Sequence, residues 1–325
     1  MTLSDITPNQ VAIICPTKDQ PQKVSRMLEC IARSEVKPAQ VLIADGGNNL
    51  NSLVKELELS LNVVCLYCPE AGQILQRNFA HQYLNREIKL VIHLDDDITF
   101  EIDAIGKMIN YWNEAQNIDG KPLAGASFNI INMVPLKNSI FRRIMLLGTE
   151  PKGGVSISGY AAPYNPIEQT TEVGWLVGGA TAWSREVIDT YPHPLSFATH
   201  WAVCEDLIFS YPLSESHRLM AVNEAQVFHN EQYQQMSMRQ GIFYGVSSVL
   251  MRYHFVRQQK SLNNYAFIWM TLGVLTGQLA IGATGSKRHL GLFLGGWEGL
   301  VRAVFNLITF QDSTKLAKSL ALRKR

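Results

Sequence analysis

Apolar and polar positions alternate in blocks along the first hundred residues. A short apolar run at 11–15 stops at Pro16, and residues 24–32 follow with Val24, Met27, Leu28 and Ile31 at helical spacing on one face. A second run at 41–44 ends in the turn formers Asp45-Gly46-Gly47-Asn48. Residues 53–59 then predict a helix, 63–66 a third strand, 74–84 another helix and 90–94 a fourth strand. Strands alternating with helices imply a parallel sheet wound by right-handed crossovers. Ligands of such sheets bind beyond the carboxyl ends of the strands. Pro16-Thr17, Asp45 and Asp95-Asp96-Asp97 all fall at such ends, so one polar rim is expected.

Further along, the pattern changes twice. Residues 132–172 are interrupted by Gly153-Gly154, Gly159 and the prolines at 163 and 166, although 140–147 fit a short basic amphipathic helix with Arg142 and Arg143. So long an irregular insertion is a functional lid or a disordered loop. Order resumes at 173–182, where Gly178-Gly179 permit close backbone approach, and 237–259 predict a long helix. From 262 to 286 there is no charged residue, and 290–310 contain only Glu298 and Arg302. Basic residues flank these stretches: Arg252, Arg257 and Lys260 before, Lys287-Arg288 between, and Lys315, Lys318 and Arg323-Lys324-Arg325 after. A spanning helix needs roughly 20 apolar residues. Residues 266–283 approach that length but are diluted by Thr271, Thr276, Gln278 and glycines. The preferred reading is an interfacial helical hairpin; a true span, or helices buried against the domain or in a dimer, are the alternatives.

With 325 residues, the chain has room for one large α/β domain plus an appendage, or for two domains. A net charge of +1 speaks against a nucleic-acid-coating protein. Residues 1–10 are polar and include Asp5, so no N-terminal signal peptide is expected. Five scattered cysteines suit a reducing cytosol. Cys65 and Cys68 have the spacing of a redox or zinc half-site, but no second such pair exists, and two small residues at a strand end describe them better.

The candidate chemistry lies in the acidic clusters. Asp95-Asp96-Asp97 closes the apolar run 90–94, so three carboxylates leave the core together. Like charges that close repel and resist desolvation, which calls for a cation. Carboxylate oxygens suit Mg²⁺ or Mn²⁺, and Mg²⁺ usually shares its shell with substrate phosphates. A solvated acidic turn or a helix cap is the plainer alternative. A second acidic pair, Glu205-Asp206, precedes the apolar run 207–209.

Taken in order, these segments resemble the family 2 glycosyltransferases, inverting nucleotide-sugar enzymes of the GT-A fold, especially bacterial ones of polysaccharide assembly. Residues 11–19, with Pro16-Thr17, are similar to the family's opening strand and "IPTYNR"-type loop. Ala44-Asp45-Gly46-Gly47-Asn48 stands where the family writes "VDDGS", and Gly72 to Asn78, with Gln76-Arg77-Asn78, resembles its "G…ARN" segment. Asp95-Asp96-Asp97 fits the DxD motif, residues 172–179 the "VDWLSGG" stretch, Trp183-Ser184-Arg185-Glu186 a "FRRE"-like segment, and Glu205-Asp206 the ED motif. The match covers roughly residues 10–255, with departures at Lys18, Gly46 and Gly174.

The resemblance implies an α/β, Rossmann-like, mostly parallel sheet flanked by helices: a GT-A domain over 1–260 (nucleotide half about 10–100, acceptor half about 120–260) and a hydrophobic helical tail over 261–325. It also implies a nucleotide-diphosphate sugar donor, a Mg²⁺ or Mn²⁺ ion, a glycan or lipid-linked acceptor, and a place on the cytoplasmic face of the inner or plasma membrane. In this reading Pro16, Thr17, Asp19 and Asp45 hold the nucleotide, and Arg77 faces it or stands as a solvated helix arginine. Asp95 faces the ribose or sugar, Asp97 ligates the metal, and Asp96 turns toward the ligand, inward or to solvent. His229 completes the metal shell or is structural. Asp206 is the general base with Glu205 orienting a loop or the acceptor, unless the pair only caps a helix. Trp175, Gly178 and Gly179 form an acceptor or sugar surface, with Trp201 as a further stacking candidate; core packing is the alternative for both tryptophans. A nucleotidylyltransferase is the first rival, disfavoured because Pro16-Thr17-Lys18-Asp19-Gln20 lacks a glycine-rich phosphate loop. A non-catalytic membrane-associated scaffold is the second, disfavoured by the intact Asp95, Asp97 and Asp206.

Overall fold

The structure, a computed structural model, describes residues 4–47, 50–57, 60–116, 120–148, 150–195, 203–230 and 236–321. Asn48, Trp201 and the basic cluster at 323–325 lie outside the described residues. Two compact units divide the chain: 1–135 with 164–195 and 209–231, and 136–163 with 196–208 and 232–325. The second unit therefore takes two earlier segments and residues 232–260 as well as the tail beyond 260.

The first unit is built on one nine-stranded sheet. Its opening half follows the hydrophobic blocks: β1 (Val11–Thr17), α1 (Pro21–Arg33), β2 (Gln40–Asp45), α2 (Asn51–Glu56), β3 (Val63–Tyr67), α3 (Gln73–His81) and β4 (Leu90–Leu94). β5 (Ile98–Phe100), α4 (Ala104–Ala115) and β6 (Leu123–Ile130) come next. The second unit then contributes α5 (Ile140–Ile144) before the chain returns with β7 (Thr171–Glu172), β8 (Ala180–Ser184) and α6 (Arg185–Thr190). The short α7 (Glu205–Ser210) crosses from the second unit's residues into the first, and β9 (Arg218–His229) completes the sheet. Strand order is β3-β2-β1-β4-β8-β6-β9-β5, with β7 also on β9.

β1, β2 and β4 are buried along their whole lengths, because helices cover both faces of a parallel sheet. Pro21 starts α1 where a missing N–H costs nothing, and Val24, Met27, Leu28 and Ile31 pack against the sheet. β1 pairs in parallel with β2 and β4, and β4 then meets β8 antiparallel, Leu94 opposite Ala180. The parallel winding thus changes direction between β4 and β8, where open sheets leave a crevice. β9 runs parallel to β6, and its end pairs with β5, placing His229 opposite Ile98.

Alternation along β4 sends His93 to one face with Val91, beneath α3. There its Nε2 lies 2.8 Å from Nε2 of His81, and its ring centroid lies 5.4 Å from that of His193, which stacks on Phe209. Burial pushes the His81 imidazole down to about 3, and drives His93 and His193 well below the usual histidine range.

The second unit is helical. α8 (Met238–Gln258), α9 (Asn264–Ala283), α10 (Lys287–Ile308) and α11 (Ser313–Ala321) start from polar residues wherever a cap is formed. Ser237 and Gln240 make a capping box for α8, Asn263 caps α9 and Ser286 caps α10. α8 and α10 touch backbone to backbone: a Cβ on Gly245 would meet the Leu292 carbonyl at 2.6 Å, and one on Gly241 the Arg288 carbonyl at 2.7 Å. Tyr253 donates to Asn306 Oδ1 at 3.0 Å, and His254 shares a 2.7 Å bond with Ser313 of α11. Among the described residues, one helix is long and apolar enough to cross a bilayer, Asn264–Ala283.

The three core histidines carry a pH signature. Their folded-state values lie below the unfolded one, so below about pH 6.5 the unfolded chain takes protons that the folded chain refuses. Their stability contribution is present above that pH and is lost as pH falls through the folded-state values, at up to ~1.4 kcal/mol per pH unit each; for His81 that window runs from about 6.5 to about 3. Carboxylates with raised values act in the opposite sense, so the measurement is a difference between proteins. His193→Phe, followed by chemical denaturation at pH 6.5 and 4.5, should lose less stability than the unsubstituted protein over that interval.

Candidate functional site

The rim of the first unit gathers three strand ends. Thr17 closes β1, its neighbour Asp45 closes β2 in register with it, and Asp95-Asp96-Asp97 follow β4. A pocket of about 380 Å³ opens there, lined by Pro16, Thr17, Lys18, Gln73, Gln76, Asp95, Asp96, Asp97 and His229. Its size is that of a small-molecule site.

Each aspartate has its own partners. Asp95 Oδ1 accepts from Arg77 Nη2 at 3.1 Å and from Gln73 Nε2 at 2.8 Å. Its backbone N–H donates to the Gly179 carbonyl at 2.9 Å, and a Cβ on Gly179 would come within 2.9 Å of Asp95 Oδ2. Gly179 thus leaves the carboxylate the space a side chain would take. Asp96 Oδ2 accepts from the Thr17 hydroxyl at 2.6 Å. Burial pushes the Asp96 carboxyl up to about 6, against the opposing effects of Thr17 and Lys23. Asp97 lies between two nitrogens, Lys23 Nζ at 3.0 Å from Oδ2 and His229 Nε2 at 3.2 Å from Oδ1. Burial alone would raise the Asp97 carboxyl, but His229 and Lys23 together hold it below the usual range.

Arg77 is 1% exposed, so it is not a solvated helix arginine. Its guanidinium also donates to the Gly178 carbonyl at 3.1 Å, so it ties α3 to the strand end and to the glycine pair. A buried arginine needs an anion and carbonyls around it, and Asp95 supplies the anion. Next to it, Gln76 Nε2 bridges the carbonyls of Thr17 at 2.7 Å and Ala44 at 2.6 Å, clamping the ends of β1 and β2. Asp45 is buried and accepts from the Gly47 N–H at 2.8 Å; desolvation raises its carboxyl, partly offset by the N–H groups of Gly47 and Leu50. Asp19 sits against Gly47, where a Cβ would come within 2.5 Å of its carboxylate.

Pro16, Thr17, Asp95, Asp96, Asp97, Arg77 and His229 are therefore brought together, with Asp45 and Asp19 at the adjoining strand end. Trp175 packs edge-on against Tyr164, whose hydroxyl accepts from the Val177 N–H at 2.8 Å. Glu205 and Asp206 belong to the second unit, at the start of α7. Before them Cys204 takes a left-handed φ of 62°, and its sulfur lies 3.6 Å from an Arg252 nitrogen. Lys18, Lys23, Gln73 and Gln76 are the members that sequence reasoning missed. Lys18, Gln73 and Gln76 stood inside the motif segments without being singled out for the site, and Lys23 looks like an ordinary first-turn residue of an amphipathic helix.

A divalent ion fits this chemistry. Asp97 already engages a cation, the Lys23 ammonium, and its other oxygen faces an imidazole nitrogen. Among the described residues no three His, Cys, Asp or Glu side chains form a ready-made cage.

Comparison with known proteins gives a family model and a fold. Residues 12–162 match the family model described as glycosyl transferase family 2. No curated protein matches the sequence. Among solved structures, S. aureus TarS 1-349 has a TM-score of 0.52 at 10% identity, covering 95% of this chain and 90% of that one. A mannosyltransferase from Pyrobaculum calidifontis, in complex with GDP-Man and Mn²⁺, has a TM-score of 0.51 at 12% identity, covering 92% of this chain and 87% of that one. At such identities the likeness is one of fold, the GT-A arrangement of a curled α/β sheet flanked by helices.

Lys23 offers a direct test of the charge balance. Lys23→Gln leaves Asp96 and Asp97 without their nearest ammonium, and the metal-free protein should lose about 1 kcal/mol. Added Mn²⁺ should raise the thermal midpoint of the variant more than that of the unsubstituted protein. Equal midpoints without metal would show that the pair contributes nothing.

Proposed function

We propose, on the premise that this chain carries a glycosyl transferase family 2 domain over residues 12–162, that it moves a sugar from a nucleotide-diphosphate donor to an acceptor hydroxyl with inversion at the anomeric carbon. The observation that carries the reading is the pocket at the β1–β4 ends, where three aspartates, Thr17, Gln73 and His229 surround a space of about 380 Å³. A diphosphate would need cations there, and the carboxylates of Asp95–Asp97, with Asp19 and Asp45 beside them, outnumber the positive charges of Lys18, Lys23 and Arg77. The metal, held by Asp97 and His229, supplies the missing positive charge when bound, as Mg²⁺ or Mn²⁺.

The remaining roles fall to side chains. Asp45 and Asp19 receive the base, and Pro16 and Thr17 form the wall beneath it. Asp95, fixed by Arg77 and Gln73, orients ribose or sugar hydroxyls, and Asp96 is held by Thr17 at the pocket floor. Asp206 takes the proton of the acceptor hydroxyl as that oxygen attacks the face opposite the leaving diphosphate, and Glu205 orients the acceptor. Trp175 with Gly178-Gly179 forms the sugar side of the site. The acceptor is a glycan or a lipid-linked glycan, and the apolar, basic-flanked helices of the second unit hold the enzyme at the cytoplasmic face of a membrane.

Two substitutions separate these roles. Asp97→Ala should abolish Mn²⁺-dependent nucleotide binding in a calorimetric titration and abolish turnover, with the fold intact by circular dichroism; full turnover in excess chelator would overturn the metal requirement. Asp206→Asn should bind the donor normally and lower kcat by roughly 10² or more, the scale of a lost general base. Equal loss of donor affinity would move Asp206 into the nucleotide site, and a near-normal rate would assign the base to another group.

A further inference from the structure

Within the second unit, the insertion that precedes β7 is tied to the long apolar helix. The Trp269 indole N–H of α9 donates to the Ile144 carbonyl of α5 at 2.8 Å, and the Asn263 N–H donates to the Ile157 carbonyl at 2.8 Å. Gly273 lies so close to α5 that a Cβ would come within 2.5 Å of Met145. Beside these contacts six large apolar side chains face solvent: Ile140 and Tyr265 at 78%, Ile144 at 60%, Ile157 at 57%, Trp269 at 47% and Phe141 at 46%. Soluble surfaces rarely gather so many without a partner.

The segments that carry these side chains bring no acid of their own. Residues 140–148, 155–160 and 262–286 contain no Asp or Glu, while Arg143 is exposed among the apolar residues of α5; the exposed pair Glu150 and Lys152 follows between the first two segments. The neighbouring Arg142 is engaged with the Tyr160 hydroxyl at 2.7 Å. Tyr and Trp with an apolar body and a polar edge, beside an arginine, are the side chains that settle at a lipid headgroup boundary. A two-fold contact of α5 with itself would set arginine against arginine with no acid on the helix to pair them.

We propose that the α5–α9 face docks on an anionic lipid bilayer, with Phe141, Tyr265 and Trp269 in the headgroup region and Arg143 against lipid phosphates. The inference rests on the membrane reading above and deepens it: the insertion between β6 and β7 is part of the docking surface, and the tail does not act alone.

The test is flotation of the full chain with vesicles of phosphatidylcholine alone or mixed with phosphatidylglycerol. The unsubstituted protein floats with the anionic vesicles. Arg143→Gln weakens that binding about fivefold and leaves phosphatidylcholine binding unchanged. Ile140→Ser with Phe141→Ser weakens binding to both by tenfold or more. Unchanged thermal midpoints and nucleotide binding verify that the variants fold. If the parent floats and both variants float equally well, α5 takes no part; the proposal fails while the membrane reading stands. If the parent stays in the aqueous fraction with every vesicle, both fail, and a dimer on analytical ultracentrifugation would then assign the face to a second copy.

Discussion

Three carboxylates emerging together from a strand with no exposed residue are the constraint on which the first unit depends. Isolated, they would repel one another and resist leaving water. The fold meets the problem by surrounding them one at a time. Arg77 is buried to reach Asp95, Lys23 extends from the first turn of α1 to Asp97, Thr17 donates to Asp96, and β9 is long enough to bring His229 to the other side of Asp97. Glycine at 179 is part of the same solution, since the β8 approach must pass beside the Asp95 carboxylate. Packing and charge are here one problem, because each group that neutralises an aspartate also joins two elements of the sheet.

That balance shapes the chemistry available. The cations present are fewer than the carboxylates, and one of them, Lys23, is 30% exposed, in contrast to the buried Arg77. A rim of this kind has a rigid half, built on Arg77, Gln76 and the strand ends, and a half whose countercharge sits on a flexible stem. Under the proposed function, a diphosphate with its ion would complete the second half without disturbing the first.

The helical unit depends on a different rule. Glycines four apart on α8 (241 and 245) face glycines four apart on α10 (291, 295 and 299), and the two backbones meet where side chains would forbid it. Close packing there leaves the apolar outer faces of α9 and α10 uncovered within the unit, including Trp297, Val301 and Phe305. The local code of caps at Ser237, Asn263 and Ser286 starts these helices independently of how their faces are used.

The sequence by itself determined the strands β1 to β4, the helices between them and the acidic rim. Buried parallel strands read as unbroken apolar runs, and their ends are marked by Pro16, Asp45 and Asp95. It also carried seven ordered motif segments, which resemblance could assemble without coordinates. Tertiary structure decided what periodicity cannot express. An arginine on a helix looks the same in sequence whether solvated or buried, and only the position of α3 over β4 places Arg77 beside Asp95. Lys23 was unremarkable until the α1 start was set beside the β4 end, and His229 until β5 paired with β9. The partition of the chain was likewise tertiary: residues 136–163 pack with α8 and α9, far away in sequence. Local pattern records which face of an element is buried; which elements meet is settled by packing among distant segments.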